Sequence, residues 1–181
     1  MKRILLATVA ALVLLPATAQ AEASTDKTGK VEIDKPFTWD GTQTVGLNVA
    51  HYWGPIEEGT CTHDPHSYCE TLLIEFSNPL TQEEIDSGKT SKTKGASITI
   101  SEFGPVPDPV TDFDLVVFES NAEGTKGSEI GRSAAFGPDQ AGDESVFLSI
   151  RTTISQPSVY VYVDVVYFAV VATGYVGTAR F

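Results

Sequence analysis

The sequence predicts an all-β fold: a two-sheet antiparallel β-sandwich of jelly-roll type, with about eight or nine short strands and at most one short helix. Three observations predict it. Beyond the N-terminal segment, apolar and polar residues alternate with period two through most of the chain, as half-buried antiparallel strands require. Turn-forming residues interrupt these runs at short intervals. The longest apolar stretch after the N-terminus, Val159 to Val171, is too β-branched to favour a helix and too short to cross a membrane as one. A closed barrel would satisfy the same pattern, which alone does not separate the two.

Taken in order, the elements follow from that alternation. Residues 22–29 are small and polar and read as a flexible lead-in to one sandwich domain over 30–181. Phe37 and Trp39 alternate with Thr38 and Asp40 before a turn at Gly41. Val45, Leu47 and Val49 alternate with Thr44, Gly46 and Asn48, and Leu72, Ile74 and Phe76 with Thr71, Leu73 and Glu75. The single helix falls after Thr81. That residue can cap it, Glu84 stands three residues on as in a capping box, and Gly88 can end it. Lys89 to Gly95 is polar and basic and reads as a solvated loop. Ile98 and Ile100 lie between Ser97, Thr99 and Ser101 in the next strand. Pro105, Pro107 and Pro109 then make a stiff, extended connection, because each fixes φ and lacks a donor. Leu115, Val116, Val117 and Phe118 are apolar on both faces, which predicts a central strand covered on both sides. Val146, Leu148 and Ile150 alternate with Ser145, Phe147 and Ser149. One strand runs from Val159 to about Val165, and after a bend a last strand runs from Gly174 to Phe181.

The N-terminus carries an address. Lys2 and Arg3 precede an apolar run from Ile4 to Leu15, and Ala17-Thr18-Ala19-Gln20-Ala21 supplies small residues for cleavage after Ala21. Residues 1–21 thus read as a secretory signal, too short to span a bilayer, and the expected location is extracellular. The 24 acidic against 12 basic residues give a formal charge of −12, and loss of the leader makes the chain more negative still. Such a field disfavours nucleic acid and anionic membrane, which need a basic footprint, and attracts divalent cations. Cys61 and Cys69 lie close together in Cys-Thr-His-Asp-Pro-His-Ser-Tyr-Cys, which in an oxidising compartment reads as a disulfide. The alternative is a metal site using His63, Asp64 and His66, at a spacing that matches no common zinc pattern.

Catalytic signatures are absent from the sequence: no G-x-S-x-G, no H-E-x-x-H and no phosphate-cradling glycine loop. Ser133 has no evident base, and all three histidines fall within residues 51–66. Paired carboxylates are numerous enough that a small secreted hydrolase with a carboxylate-based site stands as the rival reading. Calcium is the first candidate ligand. Asp112 and Asp114, two apart at a strand start, are expected on one face, and Asp139, Asp143 and Glu144 cluster before another strand. The second candidate is a binding face formed by Tyr160 and Tyr162 with Asp164, since rows of aromatic residues on a sheet stack on sugars or anchor proteins. Trp53, beside the cysteine loop in His51-Tyr52-Trp53-Gly54-Pro55, is a third, with core packing as its alternative.

Four segments resemble the bacterial pre-peptidase C-terminal domain. They are Asp112-Phe113-Asp114-Leu115, the turn Ser120-Asn121-Ala122-Glu123-Gly124, the pair Asp143-Glu144, and the stretch from Tyr160 to Tyr175. The resemblance covers somewhat less than half of the chain after the leader. It implies a β-sandwich with an accessory role, adhesion to a polymer or protein or help with secretion, and calcium in some members. The sequence thus points to a secreted, non-catalytic module engaging an extracellular polysaccharide or protein. A structural protein of the envelope is the remaining alternative.

Overall fold

The computed structural model describes residues 27–42, 69–103, 112–133, 144–169 and 174–181. They form nine strands and one helix: β1 (Lys27–Val31), β2 (Phe37–Thr42), β3 (Cys69–Ser77), α1 (Gln82–Asp86), β4 (Ser91–Phe103), β5 (Asp112–Ser120), β6 (Lys126–Ser133), β7 (Glu144–Thr153), β8 (Ser158–Ala169) and β9 (Gly174–Arg180).

Strand pairing identifies the jelly roll. β5 pairs with β6, β4 with β7, β3 with β8 and β2 with β9, all antiparallel, so the chain runs as one long ribbon of nested pairs. Rolling that ribbon brings β5 beside β8 and β4 beside β9. The result is a five-stranded sheet ordered β1-β3-β8-β5-β6 facing a four-stranded sheet ordered β2-β9-β4-β7. β1 is an addition to the roll and lies parallel to β3, from Lys27 opposite Leu72 to Val31 opposite Phe76. Residues 27–29, expected within the lead-in, therefore belong to a strand.

Between the sheets lies a core to which period two delivers alternate residues. It includes Leu72, Ile74 and Phe76 of β3, Ile98 and Ile100 of β4, Leu115 and Val117 of β5, Val146, Leu148 and Ile150 of β7, and Val161, Val163 and Val165 of β8. Trp39 and Tyr175 fill the side where β1 and β2 meet. Gly41 lies under the Tyr175 ring and Gly177 under the indole, so a Cβ at either would overlap an aromatic ring. A buried polar chain ties the same side together. The Trp39 indole N–H donates to the Tyr175 hydroxyl at 3.3 Å, that hydroxyl donates to Glu70, and Lys27 pairs with Glu70 while donating to the Asp40 carbonyl. On the opposite side, Gly131 of β6 packs against Val146 of β7, and the Ser133 hydroxyl donates to Glu144.

The expected helix is present as one short turn with its capping box. Thr81 Oγ1 accepts from the Glu84 N–H at 3.2 Å, and the Glu84 carboxylate accepts from the Thr81 N–H at 2.9 Å. Gly88 follows it at φ 87°, where a side chain would be strained, and its N–H reaches the Ile85 carbonyl. The basic loop is shorter than expected, because Ser91 to Gly95 already pair with β7. β6 was not legible from alternation. It is an edge strand whose residues are mostly exposed and whose register with β5 is interrupted twice, so no apolar face marks it. The strand expected from Val45 to Val49 and the three-proline connection lie outside the described residues.

Candidate functional site

The two outer faces of the sandwich differ in kind. On the five-stranded sheet, the outward residues of β5 and β8 pair across the strands, Val116 beside Asp164 and Phe118 beside Tyr162. Val116, Phe118 and Tyr162 form a second buried cluster on this side of the sheet. Lys126, entering from β6, lies over the Phe118 ring at 4.0 Å and the Tyr162 ring at 5.1 Å, and its ammonium pairs with the fully buried Asp164. The amphipathic lysine side chain thus covers two rings and neutralises a carboxylate beneath them. This corrects one expectation. Tyr160, Tyr162 and Asp164 do share a face, but Tyr162 is only 2% exposed and cannot present its ring to a ligand.

Tyr160, two residues along, keeps a half-buried ring and stands near the end of β8 opposite Glu75 of β3 and Ser120 of β5. It borders a shallow depression of about 320 Å³ with Thr28, Gly29, Lys30, Leu73 and Glu75. Lys30 and Glu75 face one another there at 3.3 Å, and the Ser158 hydroxyl donates to Glu75 at 2.7 Å. The depression therefore offers one aromatic ring, an ammonium, a carboxylate and a hydroxyl at the wet end of a largely sealed face.

The four-stranded sheet turns small polar residues outward: Thr38 on β2, Thr178 on β9, Thr93, Ser97 and Thr99 on β4, and Ser145 and Ser149 on β7. Thr99 and Ser145 are hydrogen-bonded at 3.0 Å. Phe147 projects from this face and is 82% exposed. Alongside it, between the diverging ends of β6 and β7, a cleft of about 420 Å³ is lined by Glu119, Ile130, Leu148, Ile150, Tyr160 and Val161, among others.

Of the expected calcium ligands, the two whose side chains are described, Asp114 and Glu144, do not face one another. Leu115 is directed into the core and pairs with Ser133, which holds Glu144, so Glu144 is turned between the sheets and is only 4% exposed. Asp114, one residue from Leu115, is turned to the other side of the same sheet. Among the described residues no group of three or more acidic, histidine or cysteine side chains assembles. Asp139, Asp143, Trp53 and Cys61 lie outside the described residues, as do the side chains of Asp112 and of Cys69, the first residue of β3.

Three surface carboxylates have pKa values displaced downward by neighbouring donors. Lys35 lowers Glu32, Arg132 lowers Glu129, and the Thr81 backbone N–H, helped by Lys92, holds Glu84 at about 2. These belong to surface ion pairs and a helix cap. Sequence reasoning missed Lys30 and Glu75, which flank Tyr160, and Lys126, which lies over Tyr162. Lys126 and Asp164 lie 38 residues apart, and no local spacing announces their contact.

No family model matches the chain, and no curated protein matches it. Solved structures similar to it include two with a TM-score of 0.22 each. One is the virus-like particle of the extra small virus of the giant freshwater prawn Macrobrachium rosenbergii, at 11% identity over 71% of this chain and 86% of that one. The other is the VP2 subviral particle of infectious bursal disease virus, at 12% identity over 95% of this chain and 37% of that one. The assignment of the fold rests on the strand order.

Proposed function

We propose that the protein is a secreted, non-catalytic binding module that holds an extracellular polysaccharide across Tyr160. The observation that carries this reading is the placement of Tyr160 on the outer face of β8: a half-buried ring set at a shallow depression, with Lys30, Glu75 and Thr28 around it. An aromatic ring flanked by donors and acceptors suits a sugar, whose C–H face stacks on the ring while its hydroxyls reach the polar groups. A polysaccharide is favoured over a protein partner because the depression is shallow and carries a single ring. The signal-like residues 1–21 support secretion. The resemblance to pre-peptidase C-terminal domains supports an accessory role.

The test is retention of the purified protein on a panel of insoluble polysaccharides, chitin, cellulose and peptidoglycan among them. The wild type should be retained on at least one, and Tyr160→Ala should weaken that retention about tenfold, a loss of about 1.4 kcal/mol. Glu75→Gln, which removes the charge but keeps the shape, should weaken it less. Retention indifferent to both substitutions would remove this site from consideration, and no retention on any polymer would remove the reading itself.

A further inference from the structure

We propose that β7 is a self-pairing edge through which two copies of the protein join their four-stranded sheets about a two-fold axis at Ser149. β7 is the last strand of its sheet and pairs with β4 without a register shift from Glu144 to Thr153. Its backbone groups alternate in direction with period two. The Ser145 N–H is directed away from β4, because it donates to Ser133 Oγ at 3.2 Å, and so is the Thr153 N–H, which donates to the Gln156 carbonyl at 2.9 Å. The intervening odd residues, Phe147, Ser149 and Arg151, therefore turn their N–H and C=O groups outward as well. Among the described residues the edge is capped at both ends and unpaired between them, and a cleft lies beside it.

The open segment is complementary to itself. In an antiparallel pair centred on Ser149, Ser149 meets its own copy, and Phe147 of each chain stands opposite Arg151 of the other. Residues 147, 149 and 151 are the ones whose backbone groups face the axis, so each of these cross-pairs is of the hydrogen-bonded kind. Phe147 and Arg151 both project from the outer face and are exposed, which sets a guanidinium over a ring on either side of the axis. On the inner face, Leu148 meets Ile150 of the second copy. Every cross-strand pair is thus favourable, as an isologous interface requires. A long unprotected edge is otherwise an aggregation site, and a closed dimer removes it. The net charge of −12 opposes approach of two copies, but it is screened within about 8 Å at physiological ionic strength.

Sedimentation equilibrium of the purified protein at about 0.15 M salt, over roughly two decades of concentration, tests this by mass action. The mass should rise from one chain to two. Ser149→Pro removes an outward N–H while leaving the β4 ladder intact, and should weaken association at least about tenfold. Phe147→Arg should weaken it similarly by placing like charges across the axis, and Phe147→Arg combined with Arg151→Glu should restore it. The exposed-site variants decide the matter if the proline variant misfolds. A protein that stays monomeric at about 100 µM, or a dimer that none of these substitutions alters, would overturn the proposal.

Discussion

The outer face of the five-stranded sheet and the outer face of the four-stranded sheet are built by the same period-two geometry and end differently. Along β5, Leu115 to Phe118 are all buried, two facing the core and two facing the Lys126 cover. Along β7, Val146, Leu148 and Ile150 are buried while Phe147, Ser149 and Arg151 between them are exposed. Position across the sandwich explains the difference. β5 lies inside its sheet with a second apolar cluster above it, whereas β7 is an edge strand whose outward-facing Phe147, Ser149 and Arg151 are exposed. A strand apolar on both faces therefore marks where a second layer sits, and strict alternation marks where the molecule meets water.

Substitutions can break or sharpen this contrast. The largest effect is expected from Phe118→Ala, which empties a buried site beneath Lys126 and should cost about 3–5 kcal/mol in urea unfolding. A loss under about 1 kcal/mol would mean that the five-stranded sheet has no second layer of consequence. Next is Lys126→Met, which keeps much of the apolar cover but leaves Asp164 without its ammonium. It should cost about 3 kcal/mol, and wild-type stability would show that the pair contributes nothing. Thr81→Ala lies on neither face and serves as a reference, expected to cost about 1 kcal/mol through loss of the helix cap.

The same cap has a pH signature. Glu84 is lowered in the folded chain to about 2, so the stability it contributes is fully present above its ordinary carboxylate range and is lost as pH falls from there toward about 2. In Glu84→Gln that part of the acid dependence should vanish, as followed by thermal melting between pH 2 and 5. The smallest effect belongs to Phe147→Ala, under about 0.5 kcal/mol in dilute protein, although the side chain is as large as Phe118. A cost equal to that of Phe118→Ala would erase the distinction between the faces.

Much of the fold was legible because it is carried by local pattern. The alternation at Leu72 to Phe76 and at Val146 to Ile150, the doubly apolar run at Leu115 to Phe118, and the capping residues Thr81, Glu84 and Gly88 each state their role within a few residues. β1 and β6 were not legible, since both are edge strands rich in glycine and charge with few buried side chains. The candidate site was legible only by half. Parity placed Tyr160 and Tyr162 on one face correctly, but parity says nothing of what lies above a face. Lys126, which reaches over Tyr162, is 36 positions away, and the groups around Tyr160 come from β1 and β3. For the acidic residues, the one-residue offset between Asp114 and Leu115 sends Asp114 and Glu144 to opposite sides of the sheet, a separation that their closeness to other acidic residues in sequence does not announce. Phe147 was visible as the one aromatic residue on the polar side of an alternating run.

The most direct test compares two tyrosines on one face of one strand. Equilibrium urea unfolding of Tyr162→Ala and Tyr160→Ala separates a sealed ring from an accessible one. The predicted result is a loss of about 4 kcal/mol for Tyr162→Ala and of less than about 1 kcal/mol for Tyr160→Ala. Equal losses, or the larger loss at Tyr160, would contradict the division of this face into a structural part and a binding part.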